Sequence, residues 1–221
     1  MKALWNNSLA GLKANLVPGL VLQAIGLTIV LIYYFVDSAR GVFITIANLK
    51  LAYGYLYSAV ATGIFGGLIP LAYLYAAGKV PPGKVCSWLI FFVLYWMWRG
   101  VEVDAFYRLQ DWMFGSALDW RTVLTKVSVD QFLYCPFWSA PVTTICYGWK
   151  DGGFSLSALR RQLSRRLFTY EIPSVLLAVW IVWIPATSII YSLPLLLQIP
   201  LFNLVLCFFV LLISALGKEC P

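Results

Sequence analysis

Histidine is absent from the 221-residue chain, so neither a His-based triad nor a His-ligated zinc site can be built from it. Charge is also scarce: Asp, Glu, Lys and Arg make up 11% of the residues, against roughly a quarter in soluble domains. No polar stretch is long enough for a soluble catalytic domain of about 50 residues. The five cysteines (Cys86, Cys135, Cys146, Cys207 and Cys220) show no CxxC spacing. Most lie in or beside apolar runs, where a thiol behaves as a small hydrophobe. These absences argue against a disulfide framework, and no catalytic residue, metal or cofactor is expected.

What fills the chain is apolar surface: 62% of residues are hydrophobic and the mean hydropathy is +0.83. That composition predicts an all-α integral membrane protein, a single membrane domain over 1–221. A bilayer crossing takes about 20 apolar residues. Six candidate spans meet or approach that length: 16–36, 51–77, 85–108, 127–147, 172–193 and 195–216. Residues 155–170 carry Arg160, Arg161, Arg165 and Arg166 opposite Leu156, Leu159, Leu163 and Leu167, the pattern of a basic amphipathic helix at the membrane surface.

The net charge of +7 is expected to record orientation rather than a nucleic-acid partner, because Lys and Arg are retained in cytoplasmic loops. With six spans, the smaller share of the cations (Arg40, Lys50, Arg99, Arg108, Arg121 and Lys126) falls on one side. Both termini are therefore expected on the cytoplasmic side, or on the matrix side of an organelle. Tyr33, Trp112, Trp149 and Tyr191, near span ends, read as interfacial anchors. The lipid bilayer is the expected partner, with homo-oligomers open.

Within the second run, Ala59, Gly63 and Gly67 repeat every four residues and form a face of small side chains on which another helix can pack closely. The alternative is a kinked gate at Gly66, Gly67 and Pro70. The third span runs without a breaker into Arg99, Glu102, Asp104, Arg108 and Asp111. Arg99 and Glu102 share one helical face, and Asp104, Arg108 and Asp111 another. These are either ordinary surface pairs or the edge of a polar cavity.

The fourth span places Asp130 and Gln131 inside an apolar run, where an ionised carboxylate costs about 2.5–3.5 kcal/mol on insertion scales and therefore faces a partner or a watery cavity. Lys126 lies one turn before Asp130 and can pair with it. Pro136 lacks the backbone donor for the carbonyl of Phe132. This set is either a conduit lining or a buried structural lock.

Lys126, Asp130, Gln131 and Pro136, at spacings of 4, 1 and 5, resemble the signature of the Mpv-seventeen and peroxisomal membrane protein family. Upstream, Phe106-Tyr107-Arg108 with Asp111 is similar to that family's aromatic-Tyr-basic segment, and Gly100 falls where its Gly-Pro pair begins. Downstream, Pro173, Trp183 and Pro194 keep family spacings. The likeness covers roughly residues 100–216. Departures are Ile189 and Ile190 in place of Asn-Phe, Gln198 in place of Arg, and Pro185 displaced by one position. The finish, with Pro194 and Pro200, resembles a bacterial branch. The resemblance implies an α-helical protein of a bacterial cytoplasmic or organellar membrane, proposed to form small-solute channels or to affect metabolite flux, with no enzyme activity and no agreed solute.

Three functions follow. In the first, Lys126, Asp130 and Gln131 line a channel for a small solute, with Arg99, Asp104, Arg108 and Asp111 as a charged vestibule. In the second, the same residues only lock helices together in a structural or assembly protein. In the third, the chain is a lipid-modifying enzyme. Asp151-Gly152 before the arginines is similar to the start of a phospholipid-synthase metal motif, but the later paired aspartates are missing.

Overall fold

The computed structural model describes the backbone of residues 2–163 and 167–216 and the side chains of 19–160, 163, 167–169, 172–173, 176 and 179–211. The protein is all-helical. Its elements are α1 (Lys2–Phe35), α2 (Arg40–Thr62), a π-helical segment (Gly63–Leu68), α3 (Ile69–Ala76), α4 (Val85–Phe114), α5 (Trp120–Val129), a second π-helical segment (Asp130–Ser139), α6 (Ala140–Asp151), α7 (Leu156–Gln162), a short π-helical stretch (Leu167–Glu171), α8 (Ile172–Tyr191) and α9 (Leu195–Leu216).

Local chemistry sets the breaks. Gly54 kinks α2 with φ 51° and ψ −122°, a conformation closed to side chains bearing a Cβ. At the end of α3, Gly78 takes φ 68°. Its N–H donates to Tyr75 O at 3.0 Å and the Lys79 N–H to Leu74 O at 2.9 Å, the paired bonds of a Schellman cap. Asp119 starts α5: its carboxylate accepts from the Arg121 and Thr122 N–H groups at 2.9 and 3.3 Å. The Thr122 hydroxyl, which also donates to this carboxylate at 2.8 Å, and then the Thr122 N–H hold the Asp119 carboxyl below the usual carboxylate range.

Packing brings α1 against α8 and α9, and α2 with its π-helical continuation against α4 and α9. The core between them is Leu22, Phe92, Trp96, Val103, Tyr107, Ile190, Ile199, Phe202 and Leu206, with their neighbours. Small residues make the α2–α4 seam. A Cβ on Gly67 would stand 2.8 Å from the Phe92 carbonyl oxygen, and one on Gly63 2.6 Å from Met97 Cγ. Gly66 faces Trp96 and Leu206, and Ala59 is buried.

Several charged side chains lie inside the bundle and many large apolar ones lie on its surface. Lys50, Arg99, Asp104, Lys126, Asp130 and Lys150 are buried, while Phe35, Leu51, Leu94, Trp120, Phe132 and Phe137 are exposed. Large apolar exposure of this kind marks contact with lipid or other chains. Among the described residues one helix, Asp37–Ala76, is long and apolar enough to cross a membrane; Gly19–Phe35, Val179–Tyr191 and Leu195–Leu211 are apolar but shorter.

Several boundaries differ from the sequence expectation. The second helical run begins at Arg40 rather than at 51, so Lys50 is a buried helical residue and not a loop cation. Over 155–170, α7 ends at Gln162 and Leu163 leaves helical geometry with ψ 60°. Arg165, Arg166, Cys220, and the side chains of Lys2, Lys13 and Arg161 lie outside the described residues. Tyr191 is no surface anchor: it is 1% exposed, whereas Trp112 is 82% exposed.

Candidate functional site: a cavity in the bundle beside Asp130

Pro136 shapes the wall of the site. In a π-helix the N–H of residue i+5 serves the carbonyl of residue i, so within Asp130–Ser139 it is Gln131, not Phe132, whose carbonyl Pro136 leaves unserved. The Trp180 indole Nε1 of α8 donates to that oxygen at 2.9 Å. One side chain from a neighbouring helix thus repairs the bond that proline removes. Trp180→Phe is expected to cost about 1–3 kcal/mol, the price of a buried unsatisfied carbonyl. In a Pro136→Ala background, where a backbone N–H is restored, the loss should be much smaller. A double-mutant cycle by thermal unfolding in detergent measures that coupling.

The wide turns aim Asp130 and Gln131 inward. Asp130 Oδ2 accepts from Tyr191 Oη at 2.7 Å and Oδ1 from Gln131 Nε2 at 2.9 Å. The Tyr191 hydroxyl in turn accepts from Gln110 Nε2. A carboxylate on the π-helical segment is thereby tied to α8 and α4 through neutral partners.

Beside them is a cavity of about 280 Å³ walled by α4, the π-helical segment, α6, α8 and α9, with Trp96, Arg99, Tyr107, Asp130, Gln131, Tyr134, Thr143, Tyr147, Trp183, Thr187 and Phe202 among its lining. Arg99 forms an ion pair with Glu102, which also accepts from the Tyr134 hydroxyl. Its Nη2 donates to Ser139 Oγ at 2.6 Å. Two buried polar atoms at this cavity have no hydrogen-bond partner among the described residues: Arg99 Nε and Gln131 Oε1.

The remaining candidate charges sit elsewhere. Lys126 pairs with Asp111 at 2.9 Å rather than with Asp130. The helix-to-helix partner wins because Asp111 lies at the open end of α4, where burying the pair costs less. Asp104 is sealed with Lys50 and Ser58: both oxygens are engaged, Oδ2 by Lys50 Nζ and by Ser58 Oγ at 2.9 Å, and Oδ1 by Arg108 Nε at 3.2 Å. Lys50 Nζ also donates to Gly54 O at 3.0 Å, bracing the kink. Lys150 lies 3.8 Å from the centre of the Trp88 ring and pairs with Asp151 at 2.7 Å.

Of the residues singled out in the sequence, Arg99, Tyr107, Asp130 and Gln131 meet at the cavity. Glu102 stands behind Arg99. Pro136 shapes the wall, while Lys126, Asp104, Arg108 and Asp111 belong to two separate ion-pair clusters. Nothing in the sequence marks Tyr134, Ser139, Thr143 or Thr187 as site residues beyond the recurrence of hydroxyls at Ser139, Thr143 and Thr144 within an apolar run. Tyr191, expected as an interfacial anchor, instead donates to Asp130. Among the described residues no three His, Cys, Asp or Glu side chains gather where a metal could be held. No family model, no characterised protein and no solved structure matches the chain.

Proposed function

We propose that the chain is a membrane protein of about six spans whose internal cavity receives a small solute and serves its passage across the bilayer. The observation that carries this reading is the 280 Å³ cavity, largely apolar but with Arg99, Asp130 and Gln131 on its wall, in a bundle that exposes many large apolar side chains while these three polar ones are buried. Polar and ionisable groups in a lipid-facing bundle are costly and mark solute pathways. The likeness of Lys126, Asp130, Gln131 and Pro136 to the Mpv-seventeen family signature supports the same function. The cytoplasmic or matrix-side termini and the bacterial or organellar membrane belong to this proposal.

A structural role is the second reading, and the chain of hydrogen bonds from Asp130 through Tyr191 to Gln110 favours it, since it ties three elements without needing a solute. The two separate in liposomes. Purified protein reconstituted into vesicles is expected to release trapped small solutes faster than empty vesicles do. Asp130→Asn should alter that release more than it lowers thermal stability; the opposite ranking favours the structural role.

A further inference from the structure

At the cavity wall one carboxylate, Asp130, is left without an ion-pair partner among the described residues. Arg99 is cancelled by Glu102. Lys126 is held by Asp111, Lys50 and Arg108 by Asp104, and Lys150 by Asp151. Among the described residues no Lys or Arg forms an ion pair with Asp130, whose bonded partners are the neutral Tyr191 hydroxyl and Gln131 amide. A buried carboxylate left in this state either gives up its charge or takes a cation from outside.

The groups next to Asp130 select the kind of cation. Gln131 Oε1 is an acceptor without a donor, in a side chain only 2% exposed. The rest of the wall is largely aromatic and aliphatic, with Tyr107, Trp183 and Phe202 on it. Rings of this kind attract a cation over their faces. A divalent metal ion would want six or more oxygen ligands, and Asp130 with Gln131 falls well short of that. At about 30 Å³ per water, 280 Å³ is the room of about nine water molecules, so the ligand is a small organic molecule of about ten non-hydrogen atoms or fewer.

We infer that the cavity takes a small organic ammonium ion, its N–H groups shared between the Asp130 carboxylate and Gln131 Oε1 and its short hydrocarbon body against the aromatic wall. This rests on the reading of the cavity as the solute site and names the class of solute. An oxygen on such a ligand would also meet the free Nε of Arg99.

The test uses the purified full chain in detergent and three probes of one shape: n-butylammonium, n-butanol and n-butyrate. Saturable thermal stabilisation by n-butylammonium is expected, with an apparent affinity at least tenfold tighter than for n-butanol and no stabilisation by n-butyrate. Asp130→Asn should remove the preference for the amine, and Gln131→Leu should weaken amine binding several-fold. Because the probe comparison is made on the unaltered protein, it stands even where Asp130→Asn folds poorly. Equal affinities for amine and alcohol, both lost in Val179→Phe, would overturn the cationic assignment while leaving the cavity as the solute site. Tighter binding of n-butyrate, or an amine preference that survives in Asp130→Asn, would also overturn it.

Discussion

Asp104→Ala is expected to lower stability by about 3–5 kcal/mol, the cost of leaving one member of a buried ion pair alone. Lys50 and Asp104 are each 1% exposed at the side chain, so no water stands ready to replace the lost carboxylate. The Lys50 ammonium would keep only the Gly54 carbonyl and the Ser58 hydroxyl, two neutral acceptors for a full charge. Lys50→Ala should cost less, because Arg108 still engages the other oxygen of Asp104. Replacing both, as Lys50→Met with Asp104→Leu, should recover most of the loss, since apolar pairs of similar volume often match buried ion pairs in stability. Arg108 is then left without a carboxylate, but at 37% exposure it can turn outward. Thermal unfolding of the four proteins in detergent measures these differences. A loss below about 1 kcal/mol for Asp104→Ala, the range of an exposed pair, would mean the cluster is hydrated.

Gly100→Ala is expected to force α2 and α4 apart. A Cβ there would lie 2.3 Å from the Ser58 carbonyl oxygen and 2.5 and 2.6 Å from Thr62 Oγ1 and Cβ. Backbone cannot swing aside as a side-chain tip can, so the whole seam must give. Overpacking of this kind costs about 1–3 kcal/mol, occasionally more. Ser58 also donates to Asp104, so opening the seam disturbs the ion pair, and the Gly100 and Asp104 substitutions should be strongly non-additive. Gly41→Ala is the control: a Cβ there meets nothing within 4 Å, and the change should be neutral or favourable by up to about 1 kcal/mol through helix propensity. Unfolding midpoints of the two variants decide it. Equal effects would place the helix contact elsewhere.

The sequence showed the pieces of the site whose partners are near in the chain and hid those that come from other helices. Arg99 and Glu102 are three residues apart and pair as helical spacing suggests. Asp130 and Gln131 stood out because polar groups are rare in apolar runs. Tyr191 was read as an anchor because nothing local marks a tyrosine that points inward; only the fold carries it 61 positions back to Asp130. Lys50 was hidden for a different reason. It sits between two apolar runs and looks like a loop, yet the helix starting at Arg40 carries it into the core, where Asp104 lies 54 positions away. Pro136 was visible as a breaker, but the orphaned carbonyl shifted from Phe132 to Gln131 because the helix widened around it. Helical content was legible from hydropathy alone. The position of π-helical turns was not, because they are set by tertiary packing around glycine and proline rather than by propensity.

The central claim, that the cavity beside Asp130 is the route of a solute, is tested most directly by blocking it. Val179 lines the cavity from α8, and Val179→Phe fills it without touching a hydrogen bond. Phe137 on the π-helical segment is exposed on the outer surface, so Phe137→Leu is the matched outward change. Solute release from vesicles carrying equal amounts of each folded protein is the measurement. Val179→Phe should slow release at least tenfold while Phe137→Leu behaves like the unaltered chain; equal release from all three would mean that solute does not pass through the cavity.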